Sequence, residues 1–238
     1  MSTLLLVRHG QARLFSEDYD RLSTQGSEQL VALARAWLAD GMTPERVWCG
    51  TLRRQRESAA AVRDVFVDAG QPWPEFEVDA GLDEYPAELL MPRLLDDLSA
   101  AHPELARTAA CFEAAADERS RYRYFHRLLE ALMAHWVAGS SRAELPLSWE
   151  EFSARVRRTF SSMQQATGRG GTAVAFTSGG PIGVSVQTVL EAPDIKAMEL
   201  NWRILNGSVT QYTFSGARIS LDRFNDTRHL PARLLSYR

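Results

Sequence analysis

Short apolar runs that break off at a polar or glycine-bearing turn and then hand over to a helical pattern constrain this chain's fold more than any other feature. Leu4 to Val7, Arg46 to Cys49, Phe76 to Asp79 and Thr172 to Thr177 read as strands. Runs of this length followed by amphipathic helices are the pattern of parallel strands in an α/β sheet. Phe76 to Asp79 alternates apolar with acidic residues, as an edge strand does. Ser27 to Ala39 places Leu30, Leu33, Ala34, Trp37 and Leu38 on one helical face, and Leu52 to Val67 does the same with Ala59, Ala60, Val62, Val65 and Phe66. Ser208 to Phe214 and Arg218 to Phe224 alternate as a hairpin around Ser215-Gly216. The fold class expected is α/β, a three-layer sandwich with a mainly parallel sheet and helices on both faces.

Between Pro86 and Glu151 the composition shifts to Ala, Leu, Arg and Glu with no strand-like run. This reads as a mostly helical insertion, at about residues 86–151, within a single domain spanning 1–238. Tyr122, Phe125, Leu129, Leu132, Met133 and Trp136 recur at helical spacing, a stripe suited to core packing. His126 and His135 on the same stretch form neither an H-E-x-x-H arrangement nor an i, i+4 pair, so no metal site is expected. Cys49 and Cys111 are isolated, which suggests neither a disulfide framework nor a zinc site.

With 27 basic and 30 acidic residues, the net charge of -3 does not favour a protein that holds nucleic acid by bulk charge. The apolar run Leu4 to Val7 stops at Arg8, too short for a signal peptide or a membrane span. A cytoplasmic protein without membrane or nucleic-acid partners is therefore expected.

Arg8, His9 and Gly10 end the first strand, at the carboxyl edge where open α/β sheets place ligands. Neutral imidazole is a competent nucleophile, a guanidinium can hold phosphate through a bidentate fork, and glycine permits close backbone approach. On these residues alone, a strand-end histidine that hydrogen-bonds a loop is an equally good reading.

Together with three further blocks, Arg8-His9-Gly10 resembles the signature of the histidine phosphatase superfamily, the phosphoglycerate mutase-like proteins. Leu22-Ser23-Thr24-Gln25-Gly26-Ser27-Glu28-Gln29 resembles the family's L-[ST]-x-x-G-x-x-Q. Gly50-Thr51-Leu52-Arg53-Arg54-Gln55-Arg56-Glu57-Ser58-Ala59 resembles its S-x-L-x-R-x-x-x-T-A, with Ser58 for the usual Thr, and Gly81-Leu82-Asp83-Glu84-Tyr85 resembles its L-x-E. The resemblance implies a phosphoglycerate mutase-like fold with His9 as the nucleophile that becomes phosphohistidine. It also implies Arg8 and Arg54 as grips on the phosphoryl oxygens, and Glu84 as the acid that protonates the leaving oxygen and then activates water. Without the family pattern, Arg53, Arg54 and Arg56 read as a solvated helix face.

The fourth block departs from the family. Ala173 to Ile182 has the form of a strand, a tight turn and a helix start, but Ser178 stands where family members usually carry a second histidine before Gly179. A serine hydroxyl offers a neutral hydrogen bond about half as strong as a charged one. Losing one transition-state donor costs on the order of 10² to 10³ in turnover. The Gly179 and Gly180 amides at a helix N-terminus form an expected anion site. Arg13-Leu14-Phe15-Ser16 replaces the Asn, and often Trp, that family mutases carry after R-H-G, which speaks against a glycolytic mutase.

The expected phosphate contacts are Arg8, Gly10, Gln11, Arg54, Ser178 and Gly179. The leading expectation is a metal-independent and cofactor-free phosphatase acting on a small phosphorylated molecule, with inorganic phosphate as a further ligand. The alternative is a phospholigand-binding or regulatory member that has lost useful turnover. A serine hydrolase using Ser178 is a third reading, weakened by the absence of G-x-S-x-G. His229 is a candidate stand-in for the missing histidine, set against a turn-capping or packing role.

Overall fold

The computed structural model describes residues 1–13 and 20–237. These fall into two compact units, Met1–Glu84 with Arg155–Arg238, and Tyr85–Ala154.

The first unit is built on a six-stranded sheet of β1 (Ser2–Arg8), β2 (Arg46–Cys49), β3 (Phe76–Val78), β4 (Thr172–Thr177), β5 (Val209–Ser215) and β6 (Arg218–Asp226). The strand order is β3-β2-β4-β1-β5-β6. The β1–β4, β4–β2 and β2–β3 pairs run parallel, whereas β5 is antiparallel to β1 and β6 to β5. The fold is thus α/β with a mixed, mainly parallel sheet. The acidic third run lies at one edge, and the hairpin turns through Gly216, whose φ of 59° suits glycine.

Strand alternation divides the core. Leu5 and Val7 of β1 and Val174 and Phe176 of β4 meet α1 (Thr24–Ala39) and α2 (Arg53–Asp68) through Leu30, Leu33, Trp37, Val62 and Phe66. Leu4, Leu6, Ala173 and Ala175 point the other way, toward Phe160 and Met163 and toward Ile182 and Val186 of α7 (Gly179–Val189). Burial on both faces explains why β1 and β4 read as unbroken apolar runs. Each fully buried aliphatic side chain contributes about 1.5–3 kcal/mol.

The second unit holds α3 (Ala87–Leu98), α4 (Pro103–Glu113), α5 (Glu118–Val137) and the first residues of α6 (Trp149–Ala166). Its core gathers Leu90, Leu94, Leu128, Leu129, Leu132 and Met133. An aromatic group formed by Tyr85, Trp136, Trp149 and Phe152 adjoins them, and the Trp136 indole N–H donates to the Leu147 carbonyl at 2.9 Å. Of the stripe on α5, Leu129, Leu132, Met133 and Trp136 are buried, while Tyr122 and Phe125 nearer its start are half-buried.

Candidate functional site

His9 leaves β1 between two neighbouring strands. Its amide donates to the Thr177 carbonyl of β4 at 2.9 Å, and its own carbonyl accepts from the Gly207 amide at 3.2 Å and the Asn206 side chain at 3.3 Å. The imidazole Nδ1 lies 2.7 Å from the Gly10 carbonyl. A carbonyl only accepts, so Nδ1 carries the hydrogen and Nε2 keeps the lone pair. Arg54 Nε donates to that Nε2 at 3.2 Å. His9, Arg8 and Arg54 are only 6%, 7% and 7% exposed. The guanidinium of Arg8 donates through Nη1 to the Ile204 carbonyl.

Gly10 and Gln11 serve the packing around this point. A Cβ on Gly10 would sit 2.4 Å from the Gly26 carbonyl oxygen, so glycine is what lets the loop lie against the start of α1. The Gly10 amide donates to Ser58 Oγ at 3.1 Å, and Ser58 Oγ donates to the Arg54 carbonyl at 2.6 Å, tying α2 to the end of β1. The Gln11 side-chain oxygen accepts from Ser23 Oγ, the N-cap of α1, at 2.8 Å. Leu14, Phe15 and Ser16 lie outside the described residues.

The other half of the site surrounds the β4–α7 turn. Ser178 is the N-cap of α7, yet its hydroxyl makes no capping bond. It is fully buried and accepts from Gln55 Nε2 at 2.9 Å. The capping contact comes instead from Glu84, whose carboxylate accepts from the Gly180 amide at 3.1 and 3.2 Å. A negative group is favoured there by the helix dipole. Gly179 packs against α8 (Ile195–Asn201), where a Cβ would lie 2.0 Å from Asn201 Oδ1.

The two residues that lead into Glu84 are held from three sides. Gln55 Nε2 at 2.9 Å and Thr177 Oγ1 at 2.6 Å both donate to the Leu82 carbonyl, in the 3-10 turn Ala80–Leu82 just before it. The Asp83 carboxylate accepts from the Thr51 amide at 2.6 Å and its hydroxyl at 2.5 Å. Arg155 donates to the Asp83 carbonyl at 2.8 Å. Burial presses Arg155 below the ordinary guanidinium range, while the carboxylates of Asp83, Glu84 and Asp79 pull it back up.

Sequence reasoning did not single out Asp20, Gln55, Thr51, Asp83, Arg155 or Asn206 as site supports. Gln55 and Asp83 adjoin the motif residues, the one signal that pointed toward them. His229 donates Nε2–H to the Gly207 carbonyl at 3.0 Å, a turn-holding role behind His9. Burial lowers its pKa. Cys49, at the end of β2, has its thiol pushed up to about 11 by burial, which keeps it protonated near neutral pH. His126 pairs with Glu130 at 3.1 Å on α5, and among the described residues no three His, Cys, Asp or Glu side chains gather as a metal site. No helix among them is long and apolar enough to cross a membrane.

Solved structures with the same architecture include a phosphoserine phosphatase from Entamoeba histolytica in complex with phosphoserine. It is 15% identical with a TM-score of 0.59, and the match covers 97% of this chain and 100% of that one. A mycobacterial glucosyl-3-phosphoglycerate phosphatase with inorganic phosphate matches at 20% identity and TM-score 0.56, over 96% and 99% of the two chains. A phosphoglycerate mutase from Bacillus anthracis str. Sterne matches at 15% identity and TM-score 0.59, over 96% and 94%. Comparison with curated protein sequences gave no match. The sequence model of the histidine phosphatase superfamily (branch 1) matches residues 4–119 and 117–227, so nearly the whole chain, with His9 at the head of its first strand's turn, belongs to that superfamily.

Proposed function

We propose that this protein is a phosphatase that hydrolyses a small phosphorylated substrate through a phosphohistidine at His9. The observation that carries the reading is the state of His9: Nδ1 donates to Gly10, which puts the lone pair on Nε2, where Arg54 Nε–H sits at 3.2 Å and gives way to phosphorus as that N–H turns to a phosphoryl oxygen. In the first step Nε2 forms a bond to phosphorus and the ester P–O bond breaks, the leaving oxygen taking a proton from the Glu84 carboxyl, whose protonated form the negative charge of the bound phosphate favours. In the second, Glu84 takes a proton from water as the water oxygen attacks phosphorus, releasing inorganic phosphate and restoring His9. Arg8 and Arg54 supply fixed positive charge to the phosphoryl oxygens, which suits a transition state stabilised by position and electrostatics. Gly10, Gln11 and Gly179 hold the backbone that frames them. With its oxygen buried against Gln55, Ser178 acts by fixing the turn that carries Glu84. The phosphoserine and inorganic phosphate bound by the structural neighbours support a small phosphorylated ligand. The same reading takes the chain as one phosphoglycerate mutase-like domain with residues 86–151 as a helical insertion.

A second reading, a phospholigand-binding member with little turnover, draws on Ser178, which brings neither charge nor an exposed donor to the β4 end. A metal-free assay over a panel of small phosphate esters separates the two, run on wild type and His9→Ala with acid-labile phosphoprotein trapped in parallel. The phosphatase reading expects turnover and trapped label in wild type only. Phosphate binding without either supports the second reading and sinks the first.

A further inference from the structure

Arg54 makes a second contact that the phosphatase scheme does not use. Its Nη1 donates to Asp20 Oδ1 at 2.5 Å, while Asp20 Oδ2 accepts from the Arg53 amide, at the first turn of α2, at 2.6 Å. Asp20 lies before α1 in the chain and reaches α2 only through the fold. The Arg54 side chain is 8% exposed and that of Asp20 is 37% exposed, so a nearly buried guanidinium is held by a carboxylate open to solvent on its outer side.

The planar guanidinium gives this contact a direction. Nε–H and the nearer N–H of Nη2 lie side by side on one edge, the fork that grips two oxygens of a phosphoryl group, while Nη1 stands on the opposite side of the plane's axis. In this protein Nε points at His9 Nε2, and Nη1 is the atom that Asp20 takes. Asp20 therefore occupies the side of Arg54 that a phosphoryl group on His9 leaves unused. The Arg53 amide fixes the other carboxylate oxygen and removes the freedom to swing.

We propose that Asp20 is a positioning residue, whose carboxylate clamps Nη1 of Arg54 so that the Nε/Nη2 edge faces the phosphoryl group at His9. This rests on the phosphohistidine reading for what is gripped, and on the geometry above for how. Asp20 also lends Arg54 a counter-charge from its solvent-exposed side, where screening keeps the pair's contribution to stability small.

The test compares wild type, Asp20→Ala, Asp20→Asn and His9→Ala in turnover of p-nitrophenyl phosphate, in affinity for inorganic phosphate by calorimetry, and in thermal midpoint. Misaiming a gripping group is expected to cost Asp20→Ala about tenfold to a hundredfold in kcat/KM and to weaken phosphate binding in parallel. The midpoint should shift by less than about 3 °C. Asp20→Asn keeps one acceptor oxygen and should recover part of both losses, which a merely structural role would not produce. If Asp20→Ala binds phosphate more tightly than wild type, Asp20 is a competing anion and the proposal is overturned. Unchanged activity and binding overturn it too. Full activity in His9→Ala would defeat the phosphohistidine reading alone, since the effect of Asp20 on phosphate affinity would still stand or fall by itself. A wild type that neither turns over nor binds phosphate defeats both.

Discussion

The two strand-to-helix junctions that build the site, β2 into α2 and β4 into α7, solve the same local problem with opposite chemistry. Each helix begins with a backbone amide that makes no hydrogen bond to its own N-cap side chain, and each amide donates instead to a carboxylate from elsewhere, Arg53 to Asp20 and Gly180 to Glu84. The first junction then adds the Arg54 guanidinium. The second adds only Ser178, two glycines and Pro181, all buried. Among the described residues the positive charge beside His9 thus comes from β1 and α2, Arg155 stands against Asp83 and Glu84, and the β4–α7 turn contributes shape and, in the proposed chemistry, holds the proton donor. A superfamily member without the second histidine can be read as one that has separated these two tasks.

The division is tested most severely at Glu84. Glu84→Gln keeps an oxygen for the Gly180 amide but cannot give or take the proton. Turnover of an alkyl phosphate is expected to fall by about 10² to 10⁴, with affinity for inorganic phosphate little changed. An activated aryl ester, whose leaving oxygen needs little protonation, should lose much less, and equal losses on both esters would erase the assignment of proton chemistry to this side.

Ser178 sharpens the contrast at a smaller scale. Ser178→Ala removes one acceptor for Gln55 Nε2, which still has the Leu82 carbonyl, so the expected cost is about 1 kcal/mol of stability, read as a thermal midpoint shift. Turnover should change by less than about tenfold, well short of what removing a direct transition-state donor costs. Ser178→His must force a larger side chain into a sealed space and is expected to destabilise by about 1–3 kcal/mol rather than restore a catalytic donor. A large gain in turnover from Ser178→His would show that the β4 side is an electrostatic partner after all.

The smallest effect concerns His229, the support behind the His9 backbone. His229 is held neutral by burial, below its ordinary value of 6.5. The unfolded chain therefore takes up the proton first, and the stability contributed by the neutral ring is present above that value and lost as pH falls below it toward the depressed folded value. Wild type should lose more of its thermal midpoint between about pH 7 and about pH 5 than His229→Gln does. Equal slopes would detach His229 from the Gly207 turn.

Much of the scaffold was legible because its signals are local. Strands β1 and β4 show as apolar runs since both faces are covered, and the hairpin shows in its alternation and Gly216. His9, Arg54 and Glu84 were reached through block resemblance, which states residue identity and order but not contacts. The hydroxyl of Ser178 turning to Gln55 instead of capping its own helix was not legible, because N-cap preference is a local rule and Gln55 arrives by tertiary packing. Asp20 was missed for the same reason: nothing in the spacing between it and Arg54 marks a pair that only the packing of α1 and α2 brings together. Gly10 was expected to let the backbone approach a ligand closely, and the structure adds a packing demand the sequence did not show, since a Cβ there would meet the Gly26 carbonyl and Leu30.

The place of β1 in the sheet sets the order in which the molecule becomes competent during its own synthesis. The strand that leads into His9 is made before both strands that flank it, β4, with Thr3 opposite Thr172, and β5, with Leu4 opposite Tyr212. The backbone behind His9 is completed later still, when Ser236 bonds Asn206 and Gln29. Pairings so distant in the chain form slowly. His9 therefore stays unframed until β4, β5 and the segment around Ser236 have all been made, and an aligned imidazole comes late in folding.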